Sequence, residues 1–431
     1  MKFIYSIFVF MLACAAFAAQ EGNALPTNVD RTDPNFVKAS LVVIGPGEAL
    51  FSCAGHVCLR LECPTFKLDN CFTYESEDVA DRVLTFFAGK LKMGMFCVPT
   101  AEFLGLYRDE GREVRQYHLD LPPMVKQRLW KVMDDKVAEG PNLAYDYVHR
   151  GCAWSVLGCL REAVKPLEMV PAPWPEKFKK SRREILSDAV SGYPWFRFVH
   201  QAIIGADVDF GEKPADKVIL PADLVTFLQG ARLVGRPILS QDFEILQWAT
   251  VAIAPASWFT PLVAAVLLVV LAGVNCLMRA QAVDWTFLLL QAVAGAFFTY
   301  LVAFSNLPAT KWNWQLVPFN LLPLLFWKWR RRWALAFAGV LLVWVAGMAL
   351  SPQQLTDPAY LVIALAYVVF YAKVARGRDV PVASKEEGNV LDLTRRGRRV
   401  HGCVSLSAAV ENVFDLTRRG RRVHEADEVA Q

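Results

Sequence analysis

The chain has little net charge for its length. Its 431 residues carry 46 Lys and Arg against 42 Asp and Glu, which leaves a formal charge of +4 at pH 7. Proteins that bind nucleic acid through phosphate contacts need a pronounced basic surface. The near balance gives no reason to expect a nucleic-acid partner, and the basic residues cluster beside apolar segments instead. Because 54% of the residues are hydrophobic, part of the chain is expected to lie in a lipid bilayer.

Metal-ligating residues are few and scattered. The chain has six histidines, and its densest mixed group is Cys53-x-x-His56-x-Cys58, with Cys63 or Cys71 nearby. These are the residue types that hold structural zinc. No second tight CxxC or HxxxH group supplies the rest of such a site, so we predict neither metal nor cofactor and keep zinc as an alternative.

The amino terminus has the pattern of a secretory signal. One basic residue precedes an apolar run over 3–12, and an A-x-A cleavage pattern follows at 16–18. Lipid modification of Cys14 is the alternative, although its surroundings fit poorly. We therefore predict a signal peptide at 1–18 and an exported, globular domain at 19–248.

The exported domain contains seven of the ten cysteines. An oxidising compartment favours disulfides, and an odd count leaves one thiol unpaired. Cys63 and Cys71 flank a turn-rich stretch and are candidates for a hairpin disulfide. Cys152 is the candidate for the remaining thiol.

The pattern of apolar residues in this domain predicts both strands and helices. Strands are expected at 40–44, 57–61, 71–74 and 116–121, and helices at 122–137 and 152–165. Cys152 opens the last helix, where unpaired N–H groups and the helix dipole favour a thiolate. That is a typical position for a nucleophile, although a buried or disulfide-bonded cysteine would show the same pattern.

His56 is a candidate base at the start of a strand. It falls on the polar side of the alternation, which fits a base only if the residue lies at the end of the sheet, beside a cleft. Three other histidines of the domain are rivals: His118, His149 and His200.

Four segments resemble, in this order, the bacterial Lnb amino-terminal periplasmic domain family: GPGEALFSCAGHVCLRLE, FFAGKLKMGMF, EFLGLYRDEGREVRQYHLDL and YDYVHRGCAWSVLGCLREA. The resemblance spans about residues 38–240. Since that family is similar to circularly permuted, papain-like proteins of the NlpC type, it implies an α+β, permuted papain-like ectodomain.

The resemblance also implies catalytic roles. His56 matches the general base of the family and Cys152 its nucleophile. The third, orienting residue is expected on the strand after His56, and Glu75 and Thr73 are favoured over the two other polar residues there, Asp69 and Asn70.

The implied reaction is acyl transfer from an amide or ester of a cell-envelope peptide, protein or lipid. However, Gly151 stands where the family has Asn before the cysteine, and loss of that amide would weaken substrate positioning or oxyanion binding. Two hypotheses follow. The chain is a membrane-anchored, extracytoplasmic cysteine hydrolase or acyltransferase, or it is a non-catalytic papain-like binding or assembly module.

An all-α transmembrane bundle is expected at 249–378. Four apolar runs have spanning length, at 257–278, 284–305, 333–350 and 359–375. A shorter apolar stretch at 315–327 carries two prolines and is either re-entrant or a fifth crossing. Five crossings would put the basic clusters near 328–332 and 373–378 inside, as the positive-inside rule requires. We predict about five spans, one of them short.

The spans contain few polar or ionisable residues, which argues for an anchor or partner-binding bundle rather than a transporter. The tail at 379–431 is polar and repeats DLTRRGRRVH at 392–401 and 415–424, so we expect it to be disordered. The predicted location is the bacterial inner membrane, with the amino-terminal domain periplasmic and the tail cytoplasmic.

Overall fold

The computed structural model describes residues 29–47, 52–77, 79, 81–170, 176–209, 213–250, 258–278, 280–307, 309–350 and 357–376. The predicted signal peptide at 1–18 and the repeated tail at 379–431 lie outside these residues.

An antiparallel sheet forms the centre of the amino-terminal part. Its strands are β1 (Lys38–Ile44), β2 (His56–Cys63), β3 (Leu68–Ser76), β4 (Lys92–Pro99), β5 (Val114–His118), β6 (Leu143–Ala144) and β10 (Glu244–Gln247), in the order β10-β5-β1-β2-β3-β4-β6. A second, small sheet contains β7 (Met169–Val170), β8 (Arg232–Leu233) and β9 (Arg236–Pro237).

The described helices of this part are α1 (Val83–Phe87), α2 (Thr100–Asp109), α3 (Pro123–Glu139), α4 (Cys152–Val164), α5 (Arg182–Ala189), α6 (Pro194–Ile203) and α7 (Pro221–Gly230). The local sequence explains where several of these helices begin. Helices α3, α6 and α7 have proline in the first turn, and α5 has a capping box of Ser181 and Glu184.

The two faces of the large sheet bury different residues. Leu59 and Phe72 pack with Leu129 of α3 and Val156 of α4 in one core. The opposite face packs against α2 in a second core of Val42, Ile44, Cys58, Cys71, Phe103, Tyr107 and Val114. This alternation follows from the two-residue period of the strands. It confirms the α+β class predicted for the domain.

The strand register contradicts the predicted Cys63–Cys71 disulfide. Cys63 pairs with Leu68, whereas Cys71 pairs with Arg60. Residues an odd number of positions apart on β2 face opposite sides, so the two side chains lie on different faces of the sheet. The eight cysteines within the described residues are free thiols.

Four long apolar helices follow: α8 (Pro261–Met278), α9 (Gln281–Ala303), α11 (Arg330–Leu350) and α12 (Pro358–Arg376). They agree with the four spans expected from the sequence, and they confirm a transmembrane helical bundle after the α+β domain. The short apolar stretch at 315–327 contains a 3-10 turn at Trp314–Leu316 and a single turn of α-helix, α10 (Leu322–Leu325). A further 3-10 turn, Trp327–Trp329, leads into α11.

The two parts are in close contact. Ser305, after α9, donates a hydrogen bond to the Phe87 carbonyl (2.5 Å), and Arg197 of α6 pairs with Asp357 (2.9 Å) at the start of α12. A Cβ atom placed on Gly205 would overlap the carbonyl of Lys311. The amino-terminal domain is therefore held directly against the loops of the bundle.

Candidate functional site

The candidate nucleophile and base lie at the ends of two packed elements. Cys152 is the first residue of α4, with Gly151 as its N-cap, and His56 is the first residue of β2. Gly55 has φ +75°, and a Cβ atom there would lie 2.6 Å from the Ile44 carbonyl oxygen, so only glycine allows the chain to enter β2 in this way. His56 thus lies at the end of the sheet, where the sequence requires a base to be.

The sulfur of Cys152 lies beside the strand that carries His56. Burial raises the pKa of the Cys152 thiol, and the nearby backbone N–H groups of Val57 and Ala153 oppose that shift. Val57 directly follows His56. Cys152 and His56 also line one cavity of about 720 Å³. The structure therefore brings together two residues that are almost a hundred positions apart in the chain.

A chain of hydrogen bonds orients the imidazole. His56 Nε2 lies 2.6 Å from Thr73 Oγ1, and the Thr73 hydroxyl donates to Glu75 Oε1 at 3.2 Å. Because that hydroxyl proton is used by Glu75, its oxygen accepts from Nε2–H. Nδ1 then carries the free lone pair, which is the form a general base needs.

Burial shifts the pKa values of this group toward the neutral forms. It lowers the pKa of His56 to about 4, with a smaller effect from Arg112, and it raises the pKa of Cys152 to about 11. The pKa of Glu75 is also raised, mainly by burial. The sequence predicts a lowered pKa for Cys152 because the residue starts a helix. The structure contradicts this prediction, because burial of the sulfur raises the pKa by more than the local N–H groups lower it.

Comparison with family models finds the Lnb N-terminal periplasmic domain at residues 27–180 and the Lnb transmembrane domain at residues 248–375. The chain belongs to the Lnb family. It is a bacterial membrane protein whose Lnb domain at the amino terminus is periplasmic. Searches of curated proteins and of solved structures give no match.

The other candidates for the orienting residue, Asp69 and Asn70, lie near the start of β3, farther from His56. Asp69 pairs with Arg60 (2.7 Å) and accepts a hydrogen bond from Thr100 (2.5 Å), while Asn70 is paired with Leu61 in the sheet. Neither is bonded to the imidazole of His56. Of these four polar residues of β3, Thr73 is hydrogen-bonded to His56, and Glu75 is hydrogen-bonded to Thr73.

The rival histidines have other surroundings. His118 Nδ1 contacts Ser40 Oγ (3.2 Å) on the neighbouring strand, and His149 Nδ1 pairs with Asp146 (2.9 Å). His200 lines the cavity from α6. As to the zinc alternative, no group of three or more His, Cys, Asp or Glu side chains that could hold a metal occurs among the described residues.

The walls of the cavity are mainly apolar and aromatic, and none of these wall residues was predicted from the sequence. They include Val83, Phe86 and Phe87 around α1, Tyr145 and Tyr147 before α4, and Trp195, Phe196, Val199 and Ile203 of α6. The signal that could have found α6 is its run of apolar residues at helical spacing in a segment otherwise broken by Pro and Gly. The cavity has the size of sites that hold small organic molecules, roughly 300–1,000 Å³.

Acidification is expected to destabilise this domain through two histidines whose pKa values are lowered, the buried His200 and the partly buried His56. The pKa values of about 4 for His56 and about 3 for His200 lie below the ordinary 6.5, so below pH 6.5 the unfolded chain binds protons that the folded chain does not. Stability should fall as the pH is lowered from 6.5 toward 4, by at most about 1.4 kcal/mol per pH unit for each histidine. Melting temperatures measured from pH 7 to pH 5 should fall less steeply with decreasing pH in His200→Phe than in the unchanged protein. Equal slopes in the two proteins would contradict the lowered pKa of His200.

Proposed function

We propose that this Lnb protein is a membrane-anchored, extracytoplasmic cysteine hydrolase or acyltransferase that acts on an ester or amide bearing an apolar acyl group. The observation that carries the proposal is the position of the Cys152 sulfur beside Val57, next to a histidine whose Nδ1 is left as acceptor, at the wall of an apolar cavity. A cavity with apolar and aromatic walls suits an acyl chain better than a charged peptide, because burying unpaired charge is costly.

The proposed mechanism uses the neutral pair. Nδ1 of His56 takes the proton of the Cys152 thiol as the sulfur attacks the acyl carbonyl carbon, and the backbone N–H of Cys152 contributes to oxyanion binding. The carbonyl then re-forms, the bond to the leaving alcohol or amine breaks, and His56 returns the proton to that group. Water or a second acceptor attacks the thioester and releases the acyl group. Thr73 and Glu75 act as positioning residues for the imidazole.

A non-catalytic papain-like binding module is the second candidate. It is favoured by the two pKa values, which leave few thiolates near neutral pH, and by Gly151 in place of the family asparagine. Backbone geometry does not require that glycine, because its φ is −68° and an added Cβ would meet its nearest atom, the Ile219 carbonyl oxygen, at 3.4 Å.

Formation of an acyl-enzyme separates the two candidates. The full-length protein in detergent micelles is incubated with 4-nitrophenyl decanoate, and its intact mass is measured. Catalysis predicts a decanoyl adduct that disappears in Cys152→Ala and persists in Cys159→Ala, a matched cysteine on the same helix. An adduct that survives Cys152→Ala, or no adduct on the unchanged protein, would favour the binding module.

Loss of the Thr73 hydroxyl is expected to slow acylation without unfolding the domain. Thr73→Val keeps the shape of the side chain but removes the acceptor of His56 Nε2–H, so the imidazole loses its tautomer and orientation. We expect the rate of acylation to decrease about tenfold to a hundredfold, the usual effect of losing a hydrogen-bond partner that orients a functional histidine. Thr100→Val is the control, because Thr100 bonds Asp69 and contacts Cys71 instead of His56. Equal rates in the two variants would exclude the positioning role.

We also infer that the bundle crosses the membrane five times. The start of α8, the end of α9 and the start of α12 all adjoin the periplasmic domain, through Phe259, Ser305 and Asp357. The end of α8, the start of α9 and the end of α12 meet at the other side, where Asp284 accepts from Asn275 (2.8 Å) and Lys373 (2.5 Å).

The chain must then return across the bilayer between Ser305 and α11. Trp327 lies on the Asp284 side, since its ring is 5.8 Å from that of Trp285. Gln291, halfway along α9, donates to the Pro318 carbonyl (2.8 Å), which satisfies one backbone group of this irregular crossing between its short helical turns. This path puts the basic cluster at 328–332 on the same side as Lys373, in agreement with the positive-inside rule.

Accessibility of introduced cysteines tests this topology. In a chain from which the partly exposed thiols Cys97, Cys152 and Cys276 have been removed, a membrane-impermeant thiol reagent added to intact spheroplasts should label Trp312→Cys but not Lys328→Cys, although both positions are exposed. Labelling at both positions would support a re-entrant segment and four crossings.

A further inference from the structure

His200 is a buried polar residue that the reaction above does not use. It lies in the last turn of α6, is 5% exposed and lines the cavity. Its Nδ1 has no hydrogen-bond partner within the described part of the chain. Buried polar groups in proteins are nearly always paired, so an imidazole with no side-chain hydrogen bond at a cavity wall indicates a place where a bound molecule supplies the partner, at the ring atoms that face the cavity.

The surroundings of His200 restrict the chemistry of that partner. The ring packs against Tyr147, at a centroid distance of 5.4 Å, and against Phe196, at 5.8 Å. Burial, with a smaller contribution from Arg183, lowers its pKa to about 3. The imidazole is therefore neutral at physiological pH and offers one N–H donor and one nitrogen acceptor, but no charge to attract an anion.

We propose that His200 hydrogen-bonds an uncharged oxygen, a carbonyl or hydroxyl, of the ligand in the apolar cavity and so selects esters that carry such an oxygen over purely hydrocarbon chains. This inference deepens the proposed function, since it specifies the ligand of the same cavity. Apolar walls do little to fix the orientation of a ligand, so one hydrogen bond from His200 determines how the ligand lies in the cavity. A site built to bond a ligand oxygen discriminates against analogues that lack it, because its own polar atom is then left unpaired.

Binding to a non-reacting protein tests the inference separately from catalysis. Full-length Cys152→Ala in detergent micelles is titrated with 1-decanoylglycerol, which has neutral oxygens, and with decylbenzene, which has none, and Trp fluorescence is followed. His200→Phe should weaken 1-decanoylglycerol about tenfold, on the scale of one hydrogen bond, and leave decylbenzene unchanged. His200→Gln, which keeps a donor and an acceptor, should restore most of the affinity.

Val190→Ala is the matched control, because Val190 is an apolar residue of the same cavity and its truncation should change both ligands alike. Equal losses for the two ligands in His200→Phe, no loss for either, or no binding of 1-decanoylglycerol to the parent protein would overturn the inference. If no acyl-enzyme forms but the oxygen-dependent difference persists, the proposed catalysis fails and the role of His200 stands.

Discussion

His56→Ala is expected to reduce formation of the decanoyl adduct on Cys152 by about 10²–10⁴-fold, the range for loss of a general acid–base group. The expectation follows from the pKa of Cys152, which burial raises to about 11, so that few thiolates exist near neutral pH and the sulfur depends on a base at the moment of attack. The imidazole, with a pKa of about 4, is free to accept the proton throughout the neutral range.

The control for this variant is His118→Ala. His118 belongs to the same sheet and contacts Ser40 (3.2 Å), but it does not line the cavity. Its loss should leave the rate of acylation within about twofold, since surface changes away from a site have small effects. The two variants are compared by their initial rates of nitrophenolate release. The comparison requires that both variants have the melting temperature of the unchanged protein. If His56→Ala acylates as fast as the unchanged protein, Cys152 reacts without this base and the proposed mechanism is wrong.

The pair His56 and Cys152 was predictable because each carries a local signal. Gly55 before the histidine and the apolar stripe of α4 behind the cysteine are visible in the sequence, and the order of the motifs supplied the resemblance. Thr73 and Glu75 were recognised only as members of a set of four. Choosing among them required the register, in which Thr73 pairs with Cys58, two residues after His56.

The environment of the site was not predictable in the same way. Local pattern placed Cys152 at a helix start and so favoured a thiolate, but the pKa depends on what else is packed around the sulfur, which is a property of distant segments. The cavity itself is lined by α1 and α6, which lie before and after the cysteine helix in the chain. Their apolar residues resemble those of any core helix until the contacts are known.

Arg183→Met is expected to destabilise the periplasmic domain by about 3–5 kcal/mol, the usual result of removing one partner from a buried ion pair. The guanidinium is 1% exposed and pairs with Asp209 at 3.0 Å. It also donates to the carbonyls of Gln201 (3.1 Å), Ile204 (3.1 Å) and Gly205 (2.6 Å). Without it, a buried carboxylate and three carbonyl groups lose a donor at the same time.

The consequence extends to the cavity because those carbonyls belong to the end of α6 and the turn after it. The same turn is held against the loop of the bundle, where Gly205 N–H bonds the Ala309 carbonyl (2.6 Å) and Asn313 donates to the Ala202 carbonyl (2.7 Å). Loss of Arg183 should therefore weaken both the wall that carries His200 and the contact with the membrane part.

Lys180→Met is the matched control, since Lys180 pairs with Asp188 at the surface and exposed ion pairs contribute little to stability. Chemical denaturation followed by near-ultraviolet circular dichroism should separate the two variants clearly. Arg183→Met combined with Asp209→Leu should recover part of the loss, because an apolar pair avoids leaving the Asp209 carboxylate without its Arg183 partner. If Arg183→Met alone is as stable as Lys180→Met, the ion pair between Arg183 and Asp209 does not hold α6 in place.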